Sequence, residues 1–108
     1  MLCARASAFL YIRPVILHKY YNEVAARRKT FELRKDEDDI QVGDTLILKD
    51  WDGEKYTGHH VARLVTYVLR NCPEYGLADG YCIIAMQPFW WEEEARMLGQ
   101  SIDYDTIS

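Results

Sequence analysis

Between Thr30 and Met86 the chain is cut into apolar runs by turn-forming residues, and this punctuation limits its fold more than anything else in it. Val42-Gly43-Asp44 reverses the chain. Asp50-Trp51-Asp52-Gly53, followed by Tyr56-Thr57-Gly58, makes a hairpin connection, and Pro73, Gly76 and Gly80 break the stretch before the last run. The runs that remain are rich in β-branched and aromatic residues, so Thr30–Lys35, Thr45–Lys49, His59–Leu69 and Tyr81–Met86 are expected strands. Upstream, Phe9 to Val15 reads as a further strand ending near Pro14. Leu17, Tyr20, Tyr21, Val24 and Arg28 then recur at helical spacing, which predicts an amphipathic helix of roughly three turns. Short strands leave exposed edges unless the sheet closes on itself. The expected fold is therefore α+β: a small, mostly antiparallel β-barrel, with a helix after the first strand covering one opening.

A chain of 108 residues is long enough for one such core. Residues 88–108 hold five acids and one base and so carry the whole formal net charge of −4, leaving residues 1–87 balanced. With no general excess of base, a nucleic-acid contact has to rest on a local patch, namely Arg27, Arg28 and Lys29 with Arg34 and Lys35. Cys3, Cys72 and Cys82 are odd in number and scattered, and no zinc-type spacing links them to His18, His59 or His60. The expectation is no metal, no cofactor and a reducing, cytoplasmic setting. No apolar stretch approaches membrane-spanning length, and Arg13-Pro14 interrupts the N-terminal run before it resembles a signal peptide.

The densest chemistry lies in Arg27-Arg28-Lys29-Thr30-Phe31-Glu32-Leu33-Arg34-Lys35, where a helix gives way to a strand. Side chains two apart in a strand share a face, so Thr30, Glu32 and Arg34 point one way and Phe31, Leu33 and the Lys35 stem the other. Lys29 leans toward the first face from the strand's beginning. An acceptor, a guanidinium fork and an ammonium on one face suit a small planar polar group; they equally describe an ordinary surface ion pair.

After Gln87 the character changes. Pro88 suits a first helical turn, Glu92-Glu93-Glu94 the positive end of a helix, and Gly99 its stop. Residues 88–108 are thus expected to be an acidic helical extension and tail, an appendage folded back on a barrel of residues 1–87. Trp91, Ala95 and Leu98 share a face, with Trp90 alongside. Either the two tryptophans pack on the barrel, or Trp90 and Trp91, rimmed by acid, dock a host protein.

The order of Tyr20-Tyr21, Arg28-Lys29-Thr30-Phe31-Glu32-Leu33-Arg34-Lys35, Val42-Gly43-Asp44, Trp51-Asp52 with Tyr56-Thr57-Gly58, Val65-Thr66-Tyr67 and Gly80-Tyr81 resembles the ASCH domain family of PUA-like barrels, whose signature is G-x-K-x-x-E-x-R. It is most similar to an uncharacterised bacterial and phage branch. The resemblance implies a cleft beside the helix, lined by Lys29, Glu32 and Arg34 and suited to RNA or a modified nucleoside. Trp51 at a hairpin tip then reads as a base-stacking ring or as end packing, and Tyr67 as a ring with its hydroxyl at the rim. One bacterial member of the family removes the acetyl group of N4-acetylcytidine. By that likeness an amidohydrolase acting on N4-acylated cytidine is the alternative, with Glu32 as general base and Lys29 stabilising the oxyanion. Two departures bear on it: the family's glycine is Arg27 here, and the hydrolase's threonine position is Glu32.

Overall fold

A computed structural model describes residues 11–12, 15–92 and 99. The apolar runs form six strands of one mixed sheet: β1 (Tyr11–Ile12), β2 (Val15–Leu17), β3 (Phe31–Lys35), β4 (Thr45–Trp51), β5 (Tyr56–Leu69) and β6 (Tyr81–Gln87). Helix α1 (His18–Ala25) follows β2, and a single 3-10 turn (Pro73–Tyr75) lies between β5 and β6. The expected first strand is split into β1 and β2, both of which pair in parallel with β4. All other pairings are antiparallel, β4 with β5, β5 with β6 and β6 with β3. The helix has eight residues, nearer two turns than three.

Two boundaries fall elsewhere than the turn chemistry suggests. Asp50 and Trp51 belong to β4, and Tyr56–Gly58 opens β5, so the reversal is confined to residues 52–55. Asp52 makes this possible: its Oδ1 accepts from the backbone N–H of Glu54 and Lys55, a side chain replacing the backbone as turn acceptor. Opposite Lys49–Trp51 the extra residues lie in β5, where Tyr56–His60 faces the shorter β4 stretch, and a second bulge between Val65 and Tyr67 bends β5 again. That bend lets one long strand pair with β4 along its first part and with β6 along its last.

The hydrogen-bonded order runs from β1 and β2 through β4, β5 and β6 to β3, with no ladder among the described residues joining β3 back to β2. The sheet is thus not closed into the expected barrel. In the core Leu46, Leu48, Val61, Val65, Ile84 and Met86 meet Ile16, Tyr21 and Val24. The face of α1 carrying Tyr21 and Val24 is buried, as its periodicity predicts. No helix among the described residues is long and apolar enough to cross a membrane.

Residues 90–92 are helical, in line with the expected C-terminal helix. Its other expected members, Glu93, Glu94, Ala95 and Leu98, lie outside the described residues, as do Phe9 and Leu10 of the expected first strand. Gly99 has φ 72°, the left-handed conformation of a helix stop.

Candidate functional site

The unpaired ends of the sheet face one another across a cavity of about 470 Å³. Ile16 and Leu17 of β2 and Tyr20 of α1 form one wall; Phe31, Glu32, Leu33 and Arg34 of β3 form the other, with Lys29 where the two meet. Lys29 reaches this place through an unusual turn. After α1 the N–H of Arg27 bonds to Val24 O, and those of Arg28 and Lys29 both bond to Glu23 O. Arg27 holds φ 65°, the left-handed conformation that glycine adopts most cheaply.

Strand β3 has the polarity of an ordinary half-buried strand reversed. Glu32 is buried and Arg34 half-buried, while Phe31 and Leu33 are 47 % and 55 % exposed. An inward carboxylate needs partners, because an unpaired buried charge costs several kcal/mol. Lys29 Nζ supplies one at 2.9 Å from Glu32 Oε1, and Arg34 Nη1 the other at 3.4 Å from Oε2. Lys29 is further fixed by the carbonyl of Phe31 at 2.8 Å, and its ammonium lies 4.8 Å and 5.5 Å from the Phe31 and Tyr20 ring centroids. Arg34 is less satisfied: its one link to Glu32 is long, and its Nε is buried with no hydrogen-bond partner. The three side chains that the strand period places together therefore do converge on one hollow, with the two basic groups pinned to one acid.

Other expected contacts lie elsewhere. Trp51 ends β4, in register with Leu17 and Tyr56, its ring set edge-on to Tyr56 at 5.2 Å; it does not line the cavity. Tyr67 pairs across β6 Ala85 with Phe31, which puts it on the outer face, exposed and also away from the cavity. Trp91 packs against the core and stacks on Phe89 at 5.4 Å, whereas Trp90 is 73 % exposed. The acidic loop after β3 is less solvated than its composition suggests, since Asp36 takes both arms of Arg70 at 2.6 Å and 3.0 Å. That bidentate pair raises the Arg70 pKa further above its ordinary value.

Two clusters gave no signal in the sequence. In the first, the fully buried Asp50 accepts from Thr57 Oγ1 at 2.8 Å, with His18 Nδ1 at 2.9 Å and 3.0 Å from its two oxygens. Asn22 Nδ2 lies 3.2 Å from His18 Nε2, which leaves the ring proton on Nδ1, facing the carboxylate. This ties the start of α1 to the end of β4 and the beginning of β5. In the second, Arg63 of β5 donates to Glu92 at 2.7 Å, to Ala62 O at 2.8 Å and to Val24 O at 3.0 Å. Arg27 donates to the other oxygen of Glu92 at 3.0 Å. The C-terminal segment is thereby pinned to the end of α1, immediately before the turn that carries Lys29. The partners in these clusters stand up to 65 residues apart, and no local pattern announces them.

No curated protein matches the chain. One family model does, described as a domain of unknown function, DUF3850, and it spans residues 15–86. That span contains β2, α1, β3 and every residue lining the cavity, and it stops short of Trp90, Trp91 and Glu92. By this match over most of its length, the chain belongs to the DUF3850 family.

Proposed function

We propose that this domain is a binding module of the ASCH, PUA-like kind, which takes RNA or a modified nucleoside into the cleft formed by Lys29, Glu32 and Arg34. On this reading the curved sheet is a PUA-like barrel whose open seam, between β2 and β3, is the binding site. The observation that carries the proposal is the convergence of an ammonium, a carboxylate and a guanidinium on one wall of a cavity of about 470 Å³ that also exposes the rings of Tyr20 and Phe31. The volume lies within the range of small-ligand sites, roughly 300–1,000 Å³. Donors, an acceptor and flat apolar surfaces in one hollow match a nucleobase edge and its faces.

Binding is a better reading than hydrolysis of an acylated cytidine. The position that holds the family hydrolase's threonine is Glu32 here, so its hydroxyl nucleophile is missing, and each oxygen of Glu32 is engaged by a cation. The test of the binding reading is calorimetric titration of wild type and a Lys29→Ala/Arg34→Ala variant with single-stranded RNA and with a panel of modified nucleosides. Wild type is expected to bind at least one of these and the variant to lose it; equal binding by both proteins refutes the cleft. Incubation with N4-acetylcytidine, read by mass spectrometry, tests the hydrolase, for which loss of the acetyl group is required.

A further inference from the structure

Every arginine among the described residues is matched to a carboxylate: Arg27 and Arg63 to Glu92, Arg28 to Glu23, Arg34 to Glu32 and Arg70 to Asp36. The basic patch of the sequence is therefore largely consumed within the molecule. A polynucleotide draws its affinity from successive phosphates, each met by a cation that gives up its counterions. Among the described residues, no arginine outside the cleft is without a carboxylate partner. Inside the cleft Lys29 and Arg34 likewise share one acid, Glu32, but here the excess positive charge lies on the wall of a cavity rather than in the interior with Arg63.

The two cations are not equivalent. Lys29 is held by Glu32, the Phe31 carbonyl and two rings, whereas Arg34 makes one long contact and keeps a buried Nε–H with no acceptor. A buried donor without a partner is unfavourable, and a small reorientation of the guanidinium toward an incoming oxyanion satisfies it. Tyr20 and Phe31, each about half exposed, line the cavity with the Lys29 ammonium over both rings, leaving their outer ring surface for a guest. The remaining lone pairs of the Glu32 carboxylate can accept from an exocyclic amino group.

Resting on the binding reading above, we propose that the occupant is a single nucleoside monophosphate rather than a strand, its phosphate anchored by Arg34 with Lys29 behind it and its base resting against the exposed ring of Tyr20 or Phe31. Arg34 is the anchoring residue and Lys29 positions Glu32. The excess positive charge attracts a phosphate, which carries about −1.5 to −2 near neutral pH, and the cavity volume suits one nucleotide.

The experiment is calorimetric titration with matched pairs: cytidine, N4-acetylcytidine and adenosine, each against its 5′-monophosphate. Inorganic phosphate and a single-stranded oligoribonucleotide of about ten residues, a length spanning a typical single-strand site, complete the set. In at least one pair the monophosphate is expected to bind roughly 10- to 100-fold tighter than its nucleoside, as a charge-assisted hydrogen bond provides. Raising salt from about 50 to 200 mM is expected to weaken it only about threefold, the response of one phosphate contact. Arg34→Ala is expected to bring the monophosphate down to the level of its nucleoside, and Arg34→Lys to recover only part of the difference because it lacks the fork. Nucleosides binding as well as their monophosphates overturn the proposal while leaving a nucleoside site standing. An oligonucleotide binding far more tightly than any monophosphate, with a steep salt dependence, overturns it in favour of a strand. Inorganic phosphate binding as well as the best monophosphate reduces the cleft to an anion site. Absence of binding throughout removes both this proposal and the reading it rests on.

Discussion

Two clusters in this molecule share one composition, a glutamate between two cations, and differ in nearly everything else. Glu32 sits between Lys29 and Arg34 at the seam of the sheet, and Glu92 between Arg63 and Arg27 behind α1; both carboxylates have 9 % side-chain exposure. The difference lies in the cations. The Arg63 side chain is 3 % exposed and its guanidinium is filled by Glu92 and two backbone carbonyls. That of Arg34 is 23 % exposed, lines a cavity, and has one long contact and an unmet donor. A saturated ion cluster holds structure together, while an unsaturated one leaves interactions for a guest. Composition alone does not separate the two; hydrogen-bond completion does.

The strongest way to break this comparison is to remove the shared acid of the saturated cluster. Glu92→Ala strands Arg63 in the interior and is expected to cost about 3–5 kcal/mol, measured by urea unfolding. A loss below about 1 kcal/mol would mean that the C-terminal segment is not held there. The second effect comes from pH. Burial first, and the negative charge of Asp50 second, push the Tyr21 hydroxyl from its ordinary 10.0 up to about 12. The folded protein thus keeps this proton where the unfolded chain has lost it. Stability is therefore insensitive to Tyr21 below pH 10 and falls between about pH 10 and 12, by on the order of 2 kcal/mol. Urea unfolding across that window, with Tyr21→Phe as reference, checks it; Tyr21→Phe is expected to show a shallower decline.

Arg27 sharpens the comparison by separating charge from backbone. Both Arg27→Gly and Arg27→Ala remove its bond to Glu92, but only alanine pays for φ 65°. Arg27→Gly is expected to be more stable than Arg27→Ala by about 1–2 kcal/mol in thermal or urea unfolding. Equal stability would show that the turn before Lys29 relaxes without cost. The smallest effect on stability belongs to the cleft. Arg34→Ala leaves Lys29 on Glu32 and is expected to change unfolding free energy by under about 1 kcal/mol while abolishing the phosphate preference. A loss comparable to that of Glu92→Ala would place Arg34 with Arg63, as structure rather than site.

What could be read beforehand follows the same division. Lys29, Glu32 and Arg34 fall within six residues, so the two-residue period of a strand was enough to set Glu32 and Arg34 on one face and Phe31 and Leu33 on the other. That β3 turns its polar face inward was not legible, because which face meets the core depends on the strands beside it. The sequence left Trp51 open between base stacking and end packing and put Tyr67 at the rim; that neither lines the cavity depends on register and on the two irregularities of the β5 ladders beside them. Asp50 looked like a turn residue by type, yet the structure makes it the buried partner of His18 and Thr57. The acidic extension was expected to fold back on the barrel; that Glu92 is the acid entering the body of the protein, between Arg63 and Arg27, was not legible.

Taken alone, the order of residues decided which segments extend, where the chain reverses, which face of α1 is apolar and that one short stretch brings three charged groups together. These depend on backbone periodicity and on turn chemistry acting over a few residues. Folding in three dimensions decided that the sheet stays open between β2 and β3, that a cavity fills the opening, and that one glutamate-centred cluster is sealed while the other is left incomplete. Those outcomes depend on groups as far apart as Arg27 and Glu92, 65 residues along the chain, whose meeting is determined by packing and desolvation rather than by any pattern between them.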